Sequence, residues 1–228
     1  MVAVLWALLL VPLAAGVLVQ RALARTMARY GAVPNRAGIT GAQLARALLD
    51  AFGLRRVRIE RSPGELTDHY DGDAEALRLS DGVAYGRSVA ALAIAAHEVS
   101  HAVQDAAGSR VYRIRRTVGE PLARIAPFSG FLFIGGFWFG EPVFMIASIA
   151  YVAGLVVFAL ATLPVEIGAS RHAVELLERI GLFDPLEADG VRSVLRAAAL
   201  TYVVGLLRQV GLFLSLVLFA AAAHSVAE

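Results

Sequence analysis

The 228-residue chain contains no cysteine and no lysine, and it has few charged residues of either sign. The absence of cysteine excludes disulfide scaffolds, thiolate metal sites and cysteine nucleophiles. The absence of lysine excludes Schiff-base chemistry. Charged residues make up 18% of the chain and hydrophobic residues 58%. This balance excludes a disordered polypeptide and an ordinary soluble domain, in which about 25% of residues are charged. The net charge of +2 says little about partners, and no nucleic-acid partner is expected.

The chain contains several long apolar segments. Val2–Val19 is uninterrupted, and three arginines follow it within ten residues. A secretory signal carries its positive charge before the apolar core, so this run predicts a membrane anchor and not a cleaved signal. Val143–Leu163 is a second clear span, and Gln209–Ala227 lies in a third. Phe128–Gly140 is apolar but short. The sequence predicts about four transmembrane helices.

The arginines predict an orientation for these helices. All of them lie in two windows, Arg21–Arg124 and Arg171–Arg208. Because cytoplasmic segments beside membrane spans collect Lys and Arg, both windows should face the cytoplasm. The turn Gly140–Pro142 and both termini should then lie outside, which requires four crossings.

Between the first two spans, local patterns predict a compact polar domain. Thr40–Phe52 reads as an amphipathic helix with Thr40 as N-cap and Gly53 as its stop. The remaining predicted elements are a strand at Arg56–Glu60, a hairpin of Leu66–Tyr70 and Ala76–Leu79 around Asp71-Gly72, an alanine-rich helix at Ser88–Ala107, and helices at Pro164–Ile180 and Glu187–Leu207.

One motif in the alanine-rich helix carries chemistry. His97 and His101 stand four residues apart on one helical face, where both imidazoles can bind one Zn²⁺ ion. Glu98 lies beside them and can take a proton from a water on the metal, which is the zincin arrangement. Gln104 and Ala107 occupy the positions at which a metzincin has its glycine and third histidine, so that class is excluded.

A zincin site needs a third protein ligand, usually a glutamate. Glu166 is favoured because it follows a membrane span among apolar residues, where a carboxylate is costly unless it is paired or metal-bound. Glu120 and Glu141 are weaker alternatives because each precedes a proline in a predicted turn. Asp105 is also weaker, because it lies on the motif helix and points partly away.

Several stretches of the chain together resemble the bacterial membrane neutral zinc metallopeptidases of the YugP type. The matching stretches are Leu66–Asp71, Leu77–Ser80, Gly86–Ser88, Ala95–Asp105, Leu163–Arg171 and Ala197–Tyr202. The resemblance implies a gluzincin-like peptidase of the bacterial inner (plasma) membrane with His97, His101 and Glu166 as zinc ligands and Glu98 as base. Ser100 departs from the family pattern, where many members have glycine.

A broader resemblance is to membrane-spanning gluzincins of the prenyl-protease type. In those enzymes a strand before the motif helix lines the substrate cleft. Leu66–Asp71 would be that strand in this chain. His69 and Tyr70 are then candidates to contact the oxyanion of the transition state, and His172 is a weaker one. Those enzymes often orient a zinc histidine with an aspartate four residues after the ligand glutamate. Ser170 stands at that position, so either Ser170 or another acid, Asp68 or Asp105, is expected to do this.

These expectations define a mainly α membrane protein with a zincin-like α+β catalytic domain and a small β-sheet. The predicted parts are an N-terminal anchor (1–20), the catalytic domain (21–121), a transmembrane hairpin (122–163), a third-ligand helix that belongs to the catalytic domain (164–200) and a C-terminal transmembrane helix (201–228).

The predicted function is zinc-dependent hydrolysis of peptides or membrane proteins at the cytoplasmic face of a bilayer, with one zinc ion. The alternatives are a non-catalytic scaffold with a structural zinc site and an intramembrane-cleaving protease. The oligomeric state is not determined by the sequence.

Overall fold

The structure, a computed structural model, describes residues 2–181 and 185–227. Within these ranges it describes every side chain except those of residues 116, 120, 123, 126, 127, 185, 186 and 224–227. The helices are α1 (Val2–Gly31), α2 (Gly41–Ala51), α3 (Asp81–Ala84), α4 (Val89–Ala106), α5 (Arg110–Phe139), α6 (Pro142–Arg179) and α7 (Pro185–Ala227), and the strands are β1 (Arg58–Arg61), β2 (His69–Asp71) and β3 (Ala76–Leu79). The predicted fold class is confirmed: a mainly α, membrane-associated protein with a small sheet.

The described chain divides into two compact units. The first consists of Met1–Val19, Ile114–Pro164 and Thr201–Glu228, and the second of Gln20–Arg113 and Val165–Leu200. Helices α1, α5, α6 and α7 each contribute residues to both units.

The first unit contains the most apolar parts of the chain. Three helices among the described residues are long and apolar enough to cross a membrane: Val2–Gly31, Pro142–Arg179 and Glu187–Ala223. Phe128–Phe139 is apolar but shorter, so the fourth crossing stays a prediction. Small residues let the helix backbones approach closely, as in other membrane bundles. A Cβ on Gly211 would lie 2.2 Å from the carbonyl oxygen of Leu8, and one on Gly136 would lie 2.8 Å from the amide nitrogen of Met145.

The second unit begins with helices whose ends were predicted from local chemistry. Thr40 caps α2 in a capping box with Gln43, and Gly53 follows the helix with a φ of 74°. The Ser88 side chain accepts a hydrogen bond from the amide of Ala91 at the start of α4. Both predicted helices are confirmed.

A three-stranded sheet in the order β1-β3-β2 lies beside α4. The predicted hairpin is confirmed, since β2 pairs antiparallel with β3. The Asp71 carboxylate accepts hydrogen bonds from the amides of Asp73 and Ala74, which closes the turn. β1 pairs parallel with β3, so β2 lies at the edge of the sheet.

The interior of the second unit is built around α4, of whose 18 residues 13 are buried. Its apolar core also includes Leu44 and Leu49 of α2, Leu77 and Leu79 of β3, Leu177 of α6 and Leu195 of α7.

Pro164 corrects one sequence expectation. The sequence predicted a span and a further helix starting at Pro164, but α6 is one helix of 38 residues with this proline inside it. Proline is tolerated inside membrane helices because other groups satisfy the freed backbone carbonyl. Glu166 therefore lies on a direct continuation of the apolar helix.

Candidate metal centre

Helix α4 places two imidazoles on one face. His97 and His101 are one turn apart, and their ring centroids lie 4.7 Å from each other with the rings nearly perpendicular. Both side chains are buried. Two buried histidines on an otherwise alanine- and valine-rich helix require polar partners or a metal ion.

Helix α6 brings a carboxylate to these two rings. The Glu166 side chain is completely buried, and its Oε2 atom lies 3.3 Å from His97 Nε2 and 3.6 Å from His101 Nε2. These three residues each offer a ligand atom within 4.8 Å of the others. The structure thus brings together the three residues that the sequence suggested as metal ligands, although they are separated by up to 69 positions in the chain.

Two of the separations between these atoms, those from Glu166 Oε2 to the two Nε2 atoms, fit a zinc ion. Bonds of 2.0–2.2 Å in tetrahedral geometry place neighbouring ligand atoms about 3.3 Å apart. The two Nε2–Oε2 separations lie close to this value. Two imidazoles and one carboxylate are also a common donor set in catalytic zinc sites, which keep a further coordination position open.

The remaining ring nitrogens of both histidines have their own partners. Ser170 Oγ lies 3.3 Å from His97 Nδ1, and Gln104 Oε1 lies 3.0 Å from His101 Nδ1. These contacts leave both Nε2 atoms to face Glu166. Ser170 is at the position where the sequence expected an orienting group. The sequence interpretation missed Gln104, although its i+3 spacing from His101 on one helix was a signal for contact.

Glu98 lies beside this group but is not part of it. Its carboxylate accepts a hydrogen bond of 3.1 Å from the backbone amide of Tyr70, on edge strand β2. Burial raises the pKa of the Glu98 carboxyl above its ordinary value, and the nearby His97 and His101 oppose this effect. A glutamate with a raised pKa binds a proton more readily, as a general base at neutral pH must.

His69 and Tyr70, the residues predicted to contact the oxyanion, have different hydrogen-bond partners. His69 is exposed, and its Nδ1 lies 2.8 Å from the Thr67 carbonyl oxygen. The Tyr70 hydroxyl donates a hydrogen bond of 3.3 Å to Asp105. The assignment of His69 and Tyr70 to the oxyanion stays a prediction.

Tyr112 was not anticipated from the sequence. Its buried ring stacks on His101, with ring centroids 5.6 Å apart, and also lies near Tyr70 at 6.4 Å. Tyr112 stands eleven residues after His101 in a separate helix, so no local spacing connected the two residues.

The other acids that the sequence suggested are not members of the ligand group found among the described residues. Asp68 accepts hydrogen bonds from the amide and the hydroxyl of Ser80, and burial raises the pKa of its carboxyl. Glu141 is exposed after the turn that follows α5. The side chain of Glu120 lies outside the described residues.

Ser100 and His172 contact each other. His172 Nδ1 lies 3.2 Å from the Ser100 hydroxyl, which donates a hydrogen bond to the Ala96 carbonyl. The Ser100 hydroxyl, which a glycine would lack, therefore makes a contact between α4 and α6.

Comparison with known proteins supports the metallopeptidase interpretation of this centre. The family model described as "Putative neutral zinc metallopeptidase" matches residues 5–221, which include both ligand-bearing helices. The chain belongs to this family. It is also 38% identical over 179 residues to "Putative membrane protease YugP" of Bacillus subtilis (strain 168), an alignment that covers 78% of this chain and 80% of the relative. No solved structure gives a significant match.

Membership of the family confirms the resemblance to YugP-type proteins that the motifs indicated. It also agrees with the chemistry of the centre, since the family description specifies zinc and the His97, His101 and Glu166 group can hold a metal ion. The apolar helices of this member are consistent with the membrane location in the name of the Bacillus relative.

Proposed function

We propose that the protein is a membrane-embedded, zinc-dependent metallopeptidase that hydrolyses peptide bonds in peptides or membrane proteins. In this proposal His97, His101 and Glu166 hold one zinc ion, and Glu98 is the general base. The observation that carries the proposal is the convergence of the two Nε2 atoms and the Glu166 carboxylate beside a second buried carboxylate, that of Glu98. A purely structural zinc site needs no such base and closes its fourth position with another ligand.

Zinc, when bound, supplies a Lewis acid that polarises the scissile carbonyl and acidifies a water. Glu98 takes the proton from the attacking water and then delivers it to the leaving amine. The amide of Tyr70 fixes the position of the Glu98 carboxylate. His69 and Tyr70 are proposed to lie toward the oxyanion, since both belong to the strand that contains this amide.

The test combines metal content with turnover. The protein, purified in detergent, should contain one zinc per chain by elemental analysis and should cleave a casein-type substrate. Removal of the metal with a chelator should abolish cleavage, and added zinc should restore it. A zinc-loaded protein without turnover on a range of unfolded proteins and membrane proteins would favour the non-catalytic scaffold instead.

We further propose that the chain crosses the inner membrane several times, with the metal centre at the cytoplasmic face. His97 and Glu166 can share one ion only if they lie on the same side of the bilayer. α6 provides one crossing between them, so a second crossing is needed, and Phe128–Phe139 is the apolar segment available for it. The distribution of the arginines supports the same orientation.

Cysteine labelling tests this topology, because the chain has no native cysteine. Single cysteines at Ala51, Ser193 and Glu141 would be treated with a membrane-impermeant reagent in right-side-out vesicles. Ala51 and Glu141 are exposed and Ser193 is half-buried. We expect Glu141→Cys to react at once, and Ala51→Cys and Ser193→Cys to react only after the vesicles are opened. Reaction of Ala51→Cys and Ser193→Cys on opposite sides would exclude Glu166 as the third ligand.

A further inference from the structure

We propose that Gln104 is a positioning residue that sets the orientation of His101 and couples it to the helix that bears Glu166. The proposal rests on the zinc site of the proposed function. It assigns to Gln104 the place that a carboxylate takes in carboxylate–histidine–zinc arrangements.

The orientation of the Gln104 amide follows from the backbone of α6. Gln104 Nε2 lies 3.1 Å from the carbonyl oxygen of Val165. A carbonyl oxygen can only accept a hydrogen bond, so the NH₂ group of Gln104 must face Val165. The amide oxygen of Gln104 then faces the opposite way, toward His101.

This amide orientation determines the tautomer of His101. Gln104 Oε1 lies 3.0 Å from His101 Nδ1 and can only accept a hydrogen bond. Nδ1 must therefore carry a proton. In the neutral imidazole the other nitrogen, Nε2, then has its lone pair available, and this atom lies 3.6 Å from Glu166 Oε2. A metal ion between these two atoms requires this tautomer, because only the unprotonated nitrogen can be a ligand.

The same side chain connects the two helices at the site. Val165 directly precedes Glu166, so the hydrogen bond from Gln104 holds α4 at the turn of α6 that carries the third ligand. Gly168 lies beside this side chain, and a Cβ there would lie 3.5 Å from Gln104 Nε2, an ordinary contact distance. Ser170, one turn after Glu166, makes the corresponding contact with His97. Both orienting groups are uncharged.

Two substitutions separate the two contacts of Gln104. Gln104→Met has a similar size but no polar groups, so it loses the contacts with both His101 and Val165. Gln104→Glu keeps an acceptor for His101 Nδ1, while its ionised carboxylate cannot donate to Val165. Zinc affinity would be measured at pH 8 by competition with a chromophoric chelator, and thermal unfolding of the metal-free proteins would report on the fold.

We expect Gln104→Met to weaken zinc binding by about 10- to 100-fold, the usual cost of removing the partner of a metal-bound histidine. Gln104→Glu should retain at least the wild-type affinity. Equal weakening in both variants would overturn the orienting role, because the contact with Val165 would then be the one that matters. Unchanged affinity in Gln104→Met would overturn the proposal altogether. If Gln104→Met does not fold, Gln104→Ala removes the same two contacts without filling the space.

Gln43→Met is the matched control. Gln43 accepts a hydrogen bond from the amide of Thr40 in the capping box of α2, which is not part of the site. This variant should lower the thermal stability of the metal-free protein without changing its zinc affinity. Loss of zinc affinity in the control would show that general destabilisation explains the effect at Gln104. A wild-type protein that binds zinc without peptidase activity would contradict the proposed function and leave the test of Gln104 intact.

Discussion

The two helices that form the metal centre contribute to it in different ways. α4 presents His97, Glu98 and His101 within little more than one turn and is largely buried in its own unit. α6 is more than twice as long and is a candidate membrane-spanning helix. It contributes a carboxylate at Glu166, a backbone carbonyl at Val165 and a hydroxyl at Ser170.

This difference shows which groups of the site are specified by a short sequence motif and which are brought there by the packing of two helices. The histidines on α4 share a face because of the 3.6-residue helical period alone. The groups on α6 reach the same point only because the two helices are packed together at Gln104 and Ser170. The ligands on both helices should therefore be equally necessary for zinc binding. Substitution of the orienting groups should weaken zinc binding less than loss of a ligand.

The largest effect should come from removing a ligand on either helix. His101→Ala on α4 and Glu166→Ala on α6 should each lose zinc during purification, because two protein ligands remain and a catalytic site normally needs three. We expect apparent affinities to fall by more than about 100-fold, beyond the range for orienting residues. Elemental analysis of the purified variants measures this. Stoichiometric zinc in Glu166→Ala would show that α6 is not a ligand helix.

The second-largest effect should be a loss of peptidase turnover without loss of the bound zinc. Glu98→Gln removes the base but keeps a side chain of the same shape that can still accept the hydrogen bond from the Tyr70 amide. Removal of a general base lowers the rate by about 10²–10⁴-fold. Steady-state cleavage by the zinc-loaded variant measures this, with metal content as its control. Wild-type turnover in Glu98→Gln would assign the base to another residue.

A smaller effect should follow from changing the hydroxyl on α6. Ser170→Ala removes the partner of His97 Nδ1 and should weaken zinc binding by about 10-fold, at the lower end for such residues. Ser170→Asp supplies a carboxylate at the same place and should bind zinc at least as tightly as the wild type. Chelator competition compares the three proteins. The same affinity in all of them would mean that His97 is held in place by packing alone.

The smallest effect is expected at the glycine beside Gln104. A Cβ on Gly168 would lie at an ordinary contact distance from the Gln104 amide, so Gly168→Ala should leave zinc affinity unchanged. It should stabilise the helix by up to about 1 kcal/mol through helix propensity. Gly190→Ala is the matched control, because its Cβ would lie 2.8 Å from the Tyr30 ring and overpacking costs about 1–3 kcal/mol. Thermal unfolding distinguishes the two variants, and destabilisation by Gly168→Ala would indicate a tighter contact between α4 and α6.

Much of the fold was predictable from local chemistry. The capping box at Thr40, the glycine after α2, the hairpin turn at Asp71 and the bounds of α4 all depend on residues close together in the chain. The break expected at Pro164 was wrong because a proline signal is weaker than the continuity of an apolar helix. The domain boundaries and the number of crossings stay predictions, since the length of Phe128–Phe139 does not decide between a span and a shorter insertion.

The sequence by itself determined the spacing of His97, Glu98 and His101, the long apolar runs and the exclusion of thiolate and lysine chemistry. These features depend on residue types and on the period of one helix, so they are present before any packing. Only the tertiary structure decided that Glu166 meets both imidazoles, that Ser170 contacts the outer nitrogen of His97, that Gln104 reaches Val165, and that Tyr112 stacks on His101. Such contacts join residues 11 to 73 positions apart, and they exist only because folding packs separate helices against each other.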